Sequence, residues 1–371
     1  MRLLLLTIDF PPSRGGVQHL LASLAAELAR TWQVTVVTPA AAGGAAWDRT
    51  QPYVVIRSLP RTRGTPALAA VQARAFVEAL RRRPHVILCG HVLLGPVCRL
   101  VSVLLGVPYV AMAYAYEIRA PRMRVIARLA LRGARRVVTI SDFSRRAVQA
   151  HGVAPGAITV IRPGAALHSA AAGPPPADAD GAARVLLSVG RLVDAYKGHD
   201  MVIRAMPLIL ARVPRARYVI VGAGPLRPYL ERLAASLNVA HAVRFVGEVS
   251  DAEVDGWYRR CDVFVLAGRE SEVSGGAECY GLVLVEASLR GKPLVGGRAG
   301  GIPDAVVEGE TGILVDPLDP GDIADAITRL LSEPELAARL GRAGRRRALE
   351  ELSWPRYAEQ LARLLAQVAA G

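Results

Sequence analysis

The chain alternates short, continuous apolar runs with longer stretches in which apolar residues return every three or four positions. Residues 1–8, 34–37, 53–56, 86–89, 109–112, 137–140 and 158–161 are runs of the first kind. A run with no solvent-facing position suits a strand covered on both faces. The second kind includes residues 71–82 and the series Val17, Leu20, Leu21, Leu24 and Leu28, which keeps the helical period. Alternation of the two predicts strands joined by crossover helices, hence an α/β chain with a doubly wound parallel sheet. A second series of apolar runs covers 185–189, 218–221, 243–246 and 263–266. Between the series, residues 165–183 carry Pro174-Pro175-Pro176 and little that is apolar beyond alanine, as a linker or surface loop does. Helical patterning returns over 322–331 and 334–352, and a last amphipathic helix follows Ser353-Trp354-Pro355. The expected organisation is a first domain over 1–165, a linker over 166–183, a second domain over 184–352 and a terminal helix over 353–371.

Composition narrows this picture. At 371 residues the chain has room for two domains of ~100–200 residues. Its longest apolar stretch, 100–113, is broken by Gly106 and Pro108, short of the ~18 residues of a spanning helix. The opening run meets Asp9 and Pro11-Pro12 too soon for a signal peptide. Cys89, Cys98, Cys261 and Cys279 are scattered, with no Cys-x-x-Cys pair, which suggests neither a zinc site nor a disulfide framework and fits a reducing, cytoplasmic setting. The net charge of +14 favours anionic partners. It is almost entirely arginine, the lysines being Lys197 and Lys292. A nucleic-acid partner is not expected, because aromatic residues make up 5% of the chain and do not interleave with basic patches.

Candidate chemistry concentrates in residues 271–303. Glu278 and Glu286 stand eight residues apart, separated by Tyr280-Gly281 and the apolar Leu282 to Val285. Gly281 permits close backbone approach to a ligand. A helix is expected from Leu282 to about Arg290, stopped by Gly291 and Pro293. The amides at its start, at Leu282 and Val283, suit a phosphate. The two carboxylates suit sugar hydroxyls. Upstream, Arg191 and Lys197 lie six residues apart across a strand-to-helix loop and can converge on one dianion. Gly15-Gly16 ends a loop between the first strand and a helix, another phosphate-cradling arrangement. Gly222-Ala223-Gly224-Pro225 is not a dinucleotide fingerprint, because Arg227 stands where the third glycine belongs.

Glu278 and Glu286 with seven residues between them, then Gly291-Lys292-Pro293-Leu294-Val295, Gly300-Gly301-Ile302-Pro303-Asp304 and Gly309-Glu310-Thr311-Gly312, together with Gly190-Arg191-Leu192 and Lys197-Gly198, resemble the donor-site signature of family 4 glycosyltransferases. The resemblance implies a retaining enzyme of the GT-B fold, two Rossmann-like domains facing a cleft, that moves a hexose-type sugar from a nucleotide-diphosphate sugar, GDP-mannose or a UDP-sugar. The first domain would then bind the acceptor and the second the nucleotide sugar. Arg191 and Lys197 would hold the diphosphate, Glu278 the transferred sugar and Glu286 the ribose. Gly247 and Val249 would border the base. Gly15 and Gly16 would close over the donor, with Tyr280, Gly281, Leu282 and Val283 beside the diphosphate. Gln18, His19 and Glu117 would face the acceptor. Tyr114 and Ala115 replace the histidine and glycine of the family's His-Gly-x-Glu/Asp pattern, and Tyr114 is expected to donate a hydrogen bond to a sugar hydroxyl. His91 would line the same edge. The catalytic set is thus Glu278, Tyr114, Arg191 and Lys197. No cofactor beyond the donor substrate and no metal is implied, and Asp178-Ala179-Asp180 reads as solvated loop.

Some mannosyltransferases of this family act on phosphatidylinositol-type acceptors. Arg124, Arg128, Arg132 and Arg135 share one face of a helix beginning near Pro121 and would suit an anionic membrane, a peripheral place at the inner membrane face. Ile126, Leu129 and Ala130 would pack on the sheet. The alternatives are transfer to a small soluble acceptor in secondary metabolism and a nucleotide-sugar epimerase of the same fold.

Overall fold

The strand β1 (Arg2–Leu6) lies inside its sheet, and Leu3 to Leu6 are at most 2% exposed. The computed structural model describes residues 1–13, 15–58, 64–120, 123–165, 183–271 and 275–371. The chain divides into two units, one of residues 1–163 with 354–371, the other of residues 164–353. The linker segment 166–182, with Asp178 and Asp180, lies outside the described residues.

The first unit holds β1, β2 (Gln33–Pro39), β3 (Val54–Ser58), β4 (Val86–Cys89), β5 (Tyr109–Ala113), β6 (Arg136–Thr139) and β7 (Ile158–Val160) in the order β3-β2-β1-β4-β5-β6-β7. Every ladder in it is parallel, with Leu3 opposite Val34 on one side and Val86 on the other. Its helices are α1 (Gly16–Leu28), α2 (Gly44–Asp48), α3 (Thr65–Arg82), α4 (Gly95–Leu105), α5 (Tyr116–Arg119), α6 (Arg124–Gly133) and α7 (Asp142–Gln149). The second unit holds β8 (Arg184–Val189), β9 (Ala216–Val221), β10 (Val243–Gly247), β11 (Val263–Leu266), β12 (Leu294–Gly297) and β13 (Gly312–Val315), in the order β10-β9-β8-β11-β12-β13 and again all parallel. Around them run α8 (His199–Arg212), α9 (Arg227–Ser236), α10 (Asp251–Arg260), α11 (Leu282–Leu289), α12 (Ile302–Ala305), α13 (Pro320–Ser332) and α14 (Pro334–Glu350). The last helix, α15 (Trp354–Ala370), packs on α1 of the first unit. In both sheets the strand order reverses beside the central strand, and ligands of such sheets bind outside the carboxyl ends of the strands there.

The expectation for α6 needs two corrections. Its buried residues are Ala127, Ala130 and Leu131, whereas Leu129 is 43% exposed. The helix packs on α4, where a Cβ on Gly95 would stand 2.1 Å from that of Ala130. Close approach through these small residues fixes the rotation of α6, and the larger Leu129 is turned outward. Arg124, Arg128 and Arg132 are exposed on α6, whereas Arg135, also exposed, lies past the helix end at Gly133, its N–H donating to the Tyr109 carbonyl, so it does not share the helix face; Pro121 lies outside the described residues.

Candidate functional site

In the second unit the charged groups gather where β8 and β11 end and where α8 and α11 begin. Lys197 occupies the turn before α8, and its ammonium donates to Glu278 Oε2. Both side chains are largely buried, at 16% and 15% exposure. Burial pulls the Lys197 pKa down, but Glu278 outweighs it and the net shift is upward, so the ammonium keeps its charge through neutral pH. The turn can reach this position because Gly198 has φ 77° and lies so close to β11's end that a Cβ would stand 1.8 Å from the Ala267 carbonyl oxygen. Arg269 secures it from the other side. Its backbone N–H donates to the Tyr196 carbonyl at 2.8 Å, and its guanidinium grips both Asp200 oxygens at 2.9 Å. Arg191, just past β8, is exposed and close enough to the Tyr196 phenol to act on it electrostatically. A Cβ on the neighbouring Gly190 would lie 3.9 Å from Lys197 Cε, so the two cations flank one stretch of loop.

The segment bearing Glu278 is held against the start of α12. The Glu278 carbonyl accepts from Gly301 N–H at 2.8 Å, and a Cβ on Gly301 would stand 1.9 Å from the Cys279 carbonyl oxygen. Tyr280 is buried, and Gly281 caps α11 in the left-handed conformation at φ 91°. The helix runs from Leu282 to Leu289, and the amides of Leu282 and Val283 stand in its first turn, before any i−4 carbonyl of the helix. One turn on, Glu286 Oε2 accepts from the Tyr258 hydroxyl at 2.7 Å. Gly247 closes β10 with φ 88°, and its carbonyl accepts from Gly222 N–H at 2.8 Å; Val249 is half-buried in the connection to α10.

In the first unit the polar groups lie past the ends of β1, β4 and β5. Gly15 precedes α1 and Gly16 opens it, and Gln18 Nε2 donates to Asp9 Oδ1 at 3.1 Å. His91 Nε2 stands 4.0 Å from Asp9 Oδ2, while its Nδ1 accepts from Leu93 N–H at 3.2 Å. Burial lowers the His91 pKa despite Asp9. Glu117 Oε1 accepts from Tyr114 N–H at 2.8 Å. Burial lifts the Glu117 carboxyl to about 7 against that bond. Ala115, between them, holds φ 95°, a conformation that costs an alanine about 1–3 kcal/mol and a glycine far less. The Tyr114 phenol is buried, 4% exposed, with its hydroxyl 3.7 Å from Met112 Sδ. His19 meets the edge of Trp354 on α15, ring centres 5.7 Å apart.

A family model described as "Glycosyl transferase 4-like domain" matches residues 15–164, and one described as "Glycosyl transferases group 1" matches residues 175–347. Over 385 residues, 98% of each chain, the sequence is 34% identical to the GDP-mannose-dependent alpha-(1-6)-phosphatidylinositol monomannoside mannosyltransferase of Mycolicibacterium smegmatis. The chain belongs to the family 4 glycosyltransferases. The glycosyltransferase is also 31% identical, over 272 residues covering 68% of its length and 57% of the relative's, to a D-inositol 3-phosphate glycosyltransferase of Streptomyces bingchenggensis. Its fold matches the sucrose-phosphate synthase of Thermosynechococcus elongatus with a TM-score of 0.81 at 22% identity, covering 100% of this chain and 99% of the other. A crystal structure of Anabaena HepE with UDP and glucose gives 0.76 at 20% identity over 99% and 100% of the two chains.

Sequence reasoning assigned this glycosyltransferase no role for Asp9, Tyr258 or the Arg269–Asp200 clamp. Asp9 had a signal, as the first carboxylate after the opening apolar run. The other residues sit in unremarkable helical or loop context, and only their tertiary partners mark them.

Proposed function

We propose that the glycosyltransferase transfers mannose from GDP-mannose to an acceptor hydroxyl with retention at the anomeric carbon. The observation that carries this reading is the Lys197–Glu278 pair beside Arg191 and the first turn of α11. Two cations and helix-start amides suit a diphosphate, whose negative charge grows as the sugar departs. The bond from the anomeric carbon to the diphosphate oxygen breaks, and a bond to the acceptor oxygen forms on the same face. The hydroxyl proton passes to the departing diphosphate. In this reading Glu278 holds hydroxyls of the moving sugar, Glu286 the ribose, and Gly247 with Val249 the base. Gly15 and Gly16 cover the donor, and Gln18, His19 and Glu117 serve the acceptor. The buried Tyr114 supports the Glu117 turn through its backbone N–H. The choice of mannose and of GDP rests on the full-length mannosyltransferase relative.

The test is a panel of GDP-, UDP- and ADP-sugars, assayed for turnover and for thermal stabilisation by the corresponding diphosphates. GDP-mannose is expected to be consumed, and GDP at 100 times its Kd to stabilise the native state by about 2.7 kcal/mol. Turnover of UDP-sugars alone would replace the donor, and no stabilisation by any nucleoside diphosphate would remove the reading.

The acceptor, in the same proposal, is lipid-linked and met at an anionic membrane. On the paired helices α4 and α6, Val103 is 74%, Leu104 59%, Val125 78% and Leu129 43% exposed, with Arg124 and Arg128 on the same elements. Exposed apolar side chains on helices that also carry exposed arginines fit an interface of acyl chains and anionic headgroups, at ~1 kcal/mol per cation. Among the described residues no helix is long and apolar enough to cross a membrane. Co-sedimentation with phosphatidylglycerol vesicles is expected at low salt, fading as salt rises and fading further in an Arg124→Ala/Arg128→Ala/Arg132→Ala variant. Absence of binding at low salt would leave a small soluble acceptor.

A further inference from the structure

Tyr258 lies on α10, 1% exposed, in a setting that leaves its hydroxyl little freedom. One ring face rests on Phe264 of β11, centres 5.5 Å apart and tilted by 34°. The Arg290 guanidinium carbon lies 4.9 Å from the ring centre. Arg290 is itself anchored. It pairs with Asp255 one turn before Tyr258, the side chains being 5% and 4% exposed, and Nε donates to Asp255 Oδ1 at 2.6 Å. It also donates to the Glu286 carbonyl at 2.8 Å. Asp255 takes a further bond from Arg259 Nε at 2.6 Å. Helices α10 and α11 are thus clipped together by a buried charge pair, and the Tyr258 hydroxyl emerges at the clip, 2.7 Å from Glu286 Oε2 and 3.4 Å from the Val283 carbonyl oxygen.

We propose that Tyr258 is a positioning residue which aims the Glu286 carboxylate at the donor ribose and thereby sets the preference for a ribonucleotide over its 2′-deoxy form. This rests on the donor reading above, in which Glu286 meets the ribose. A carboxylate on a flexible side chain sweeps many orientations, whereas accepting from a vicinal diol requires one. A phenol bonded to one oxygen, itself held by a ring that cannot turn, selects the orientation before the ligand arrives. Burial, then the neighbouring Glu286, raises the phenol's pKa well above the ordinary value, so it remains a donor through neutral pH.

The experiment is calorimetric binding of GDP and 2′-deoxy-GDP, and of UDP and 2′-deoxy-UDP, to the full-length protein and to Tyr258→Phe, which keeps the ring and removes the hydroxyl. The unaltered protein is expected to favour the ribose form of its own nucleotide about tenfold. In Tyr258→Phe the ribose form should weaken about five- to tenfold and the deoxy form hardly at all, with donor KM rising at unchanged kcat. In a Glu286→Ala background the Tyr258→Phe change should have no further effect on that ratio. Equal weakening of both forms, or a retained ribose preference, overturns the inference while leaving the donor reading intact. An unaltered protein that binds neither GDP nor UDP overturns the donor reading and this inference with it. Should Tyr258→Phe not fold, Arg290→Lys, which keeps a cation for Asp255 and removes the guanidinium from over the ring, is expected to lower the ribose preference, and an unchanged preference there overturns the proposal.

Discussion

Replacing Lys197 with alanine is expected to lower kcat/KM for the sugar donor about 10- to 100-fold, the loss of one charge-assisted contact of roughly 1.5–3 kcal/mol. A second effect is expected beside it. Lys197 neutralises Glu278, and both side chains are largely buried, so the variant leaves a carboxylate without its cation in a poorly hydrated place. The melting temperature should therefore fall as well. The two effects separate in the double variant Lys197→Ala/Glu278→Gln, which removes the stranded charge: stability should recover and turnover should not. Arg191→Ala supplies the contrast. Arg191 is exposed, so its removal should weaken donor binding at an unchanged melting temperature. Steady-state kinetics with thermal unfolding on the four proteins decides the matter, and donor kinetics unchanged in both single variants would remove Arg191 and Lys197 from the donor site.

Gly301→Ala is the second variant with a large expected effect, although residue 301 bears no functional group. At φ −96° alanine is comfortable there, so the backbone itself raises no objection. The obstacle is the Cys279 carbonyl oxygen, 1.9 Å from the position of the new methyl carbon, with Tyr280 N at 2.9 Å. The segment 278–281 would have to withdraw by more than an ångström, moving the Glu278 side chain and the cap of α11 together. A displacement of that size costs catalysis ~100-fold. Turnover should fall by about that factor, with donor KM raised, while the secondary-structure content by circular dichroism is preserved. Full activity in Gly301→Ala would show that Glu278 need not stand where the Gly301 contact holds it.

These two variants show how unevenly the sequence exposed the molecule. The helix α11 was legible because its limits are chemical: Gly281 in the left-handed region before Leu282, and Gly291 with Pro293 after Leu289. The strands of both sheets were legible as unbroken apolar runs, although β12 and β13, at 294–297 and 312–315, were absorbed into motif blocks and not recognised as strands. The resemblance to family 4 glycosyltransferases is what grouped Arg191, Lys197, Glu278 and Glu286 in one expected donor site. It could not show that Lys197 and Glu278 would satisfy each other, since they are 81 residues apart. Nor could it show that Tyr258 would govern Glu286, because a tyrosine at helical spacing is usually just part of a core. The outward turn of Leu129 was hidden for a related reason. Periodicity assigns a helix an apolar side, but the rotation of α6 follows from the contact of Gly95 with Ala130, which hydrophobicity does not weigh.

The place of α15 has a consequence for synthesis. The second unit is one uninterrupted stretch, 164–353, whereas the first combines 1–163 with 354–371. As the ribosome releases the chain from its amino end, the first unit's sheet emerges early but lacks α15, whose Leu361 and Leu365 are fully buried and which packs on α1. The later-made unit can close on itself without delay. The earlier-made one waits, with part of its apolar surface open, until the whole of its neighbour has been translated. Assembly thus runs against the order of the genetic message, and the strand β1, made before every strand of the second unit, belongs to the unit that is finished last.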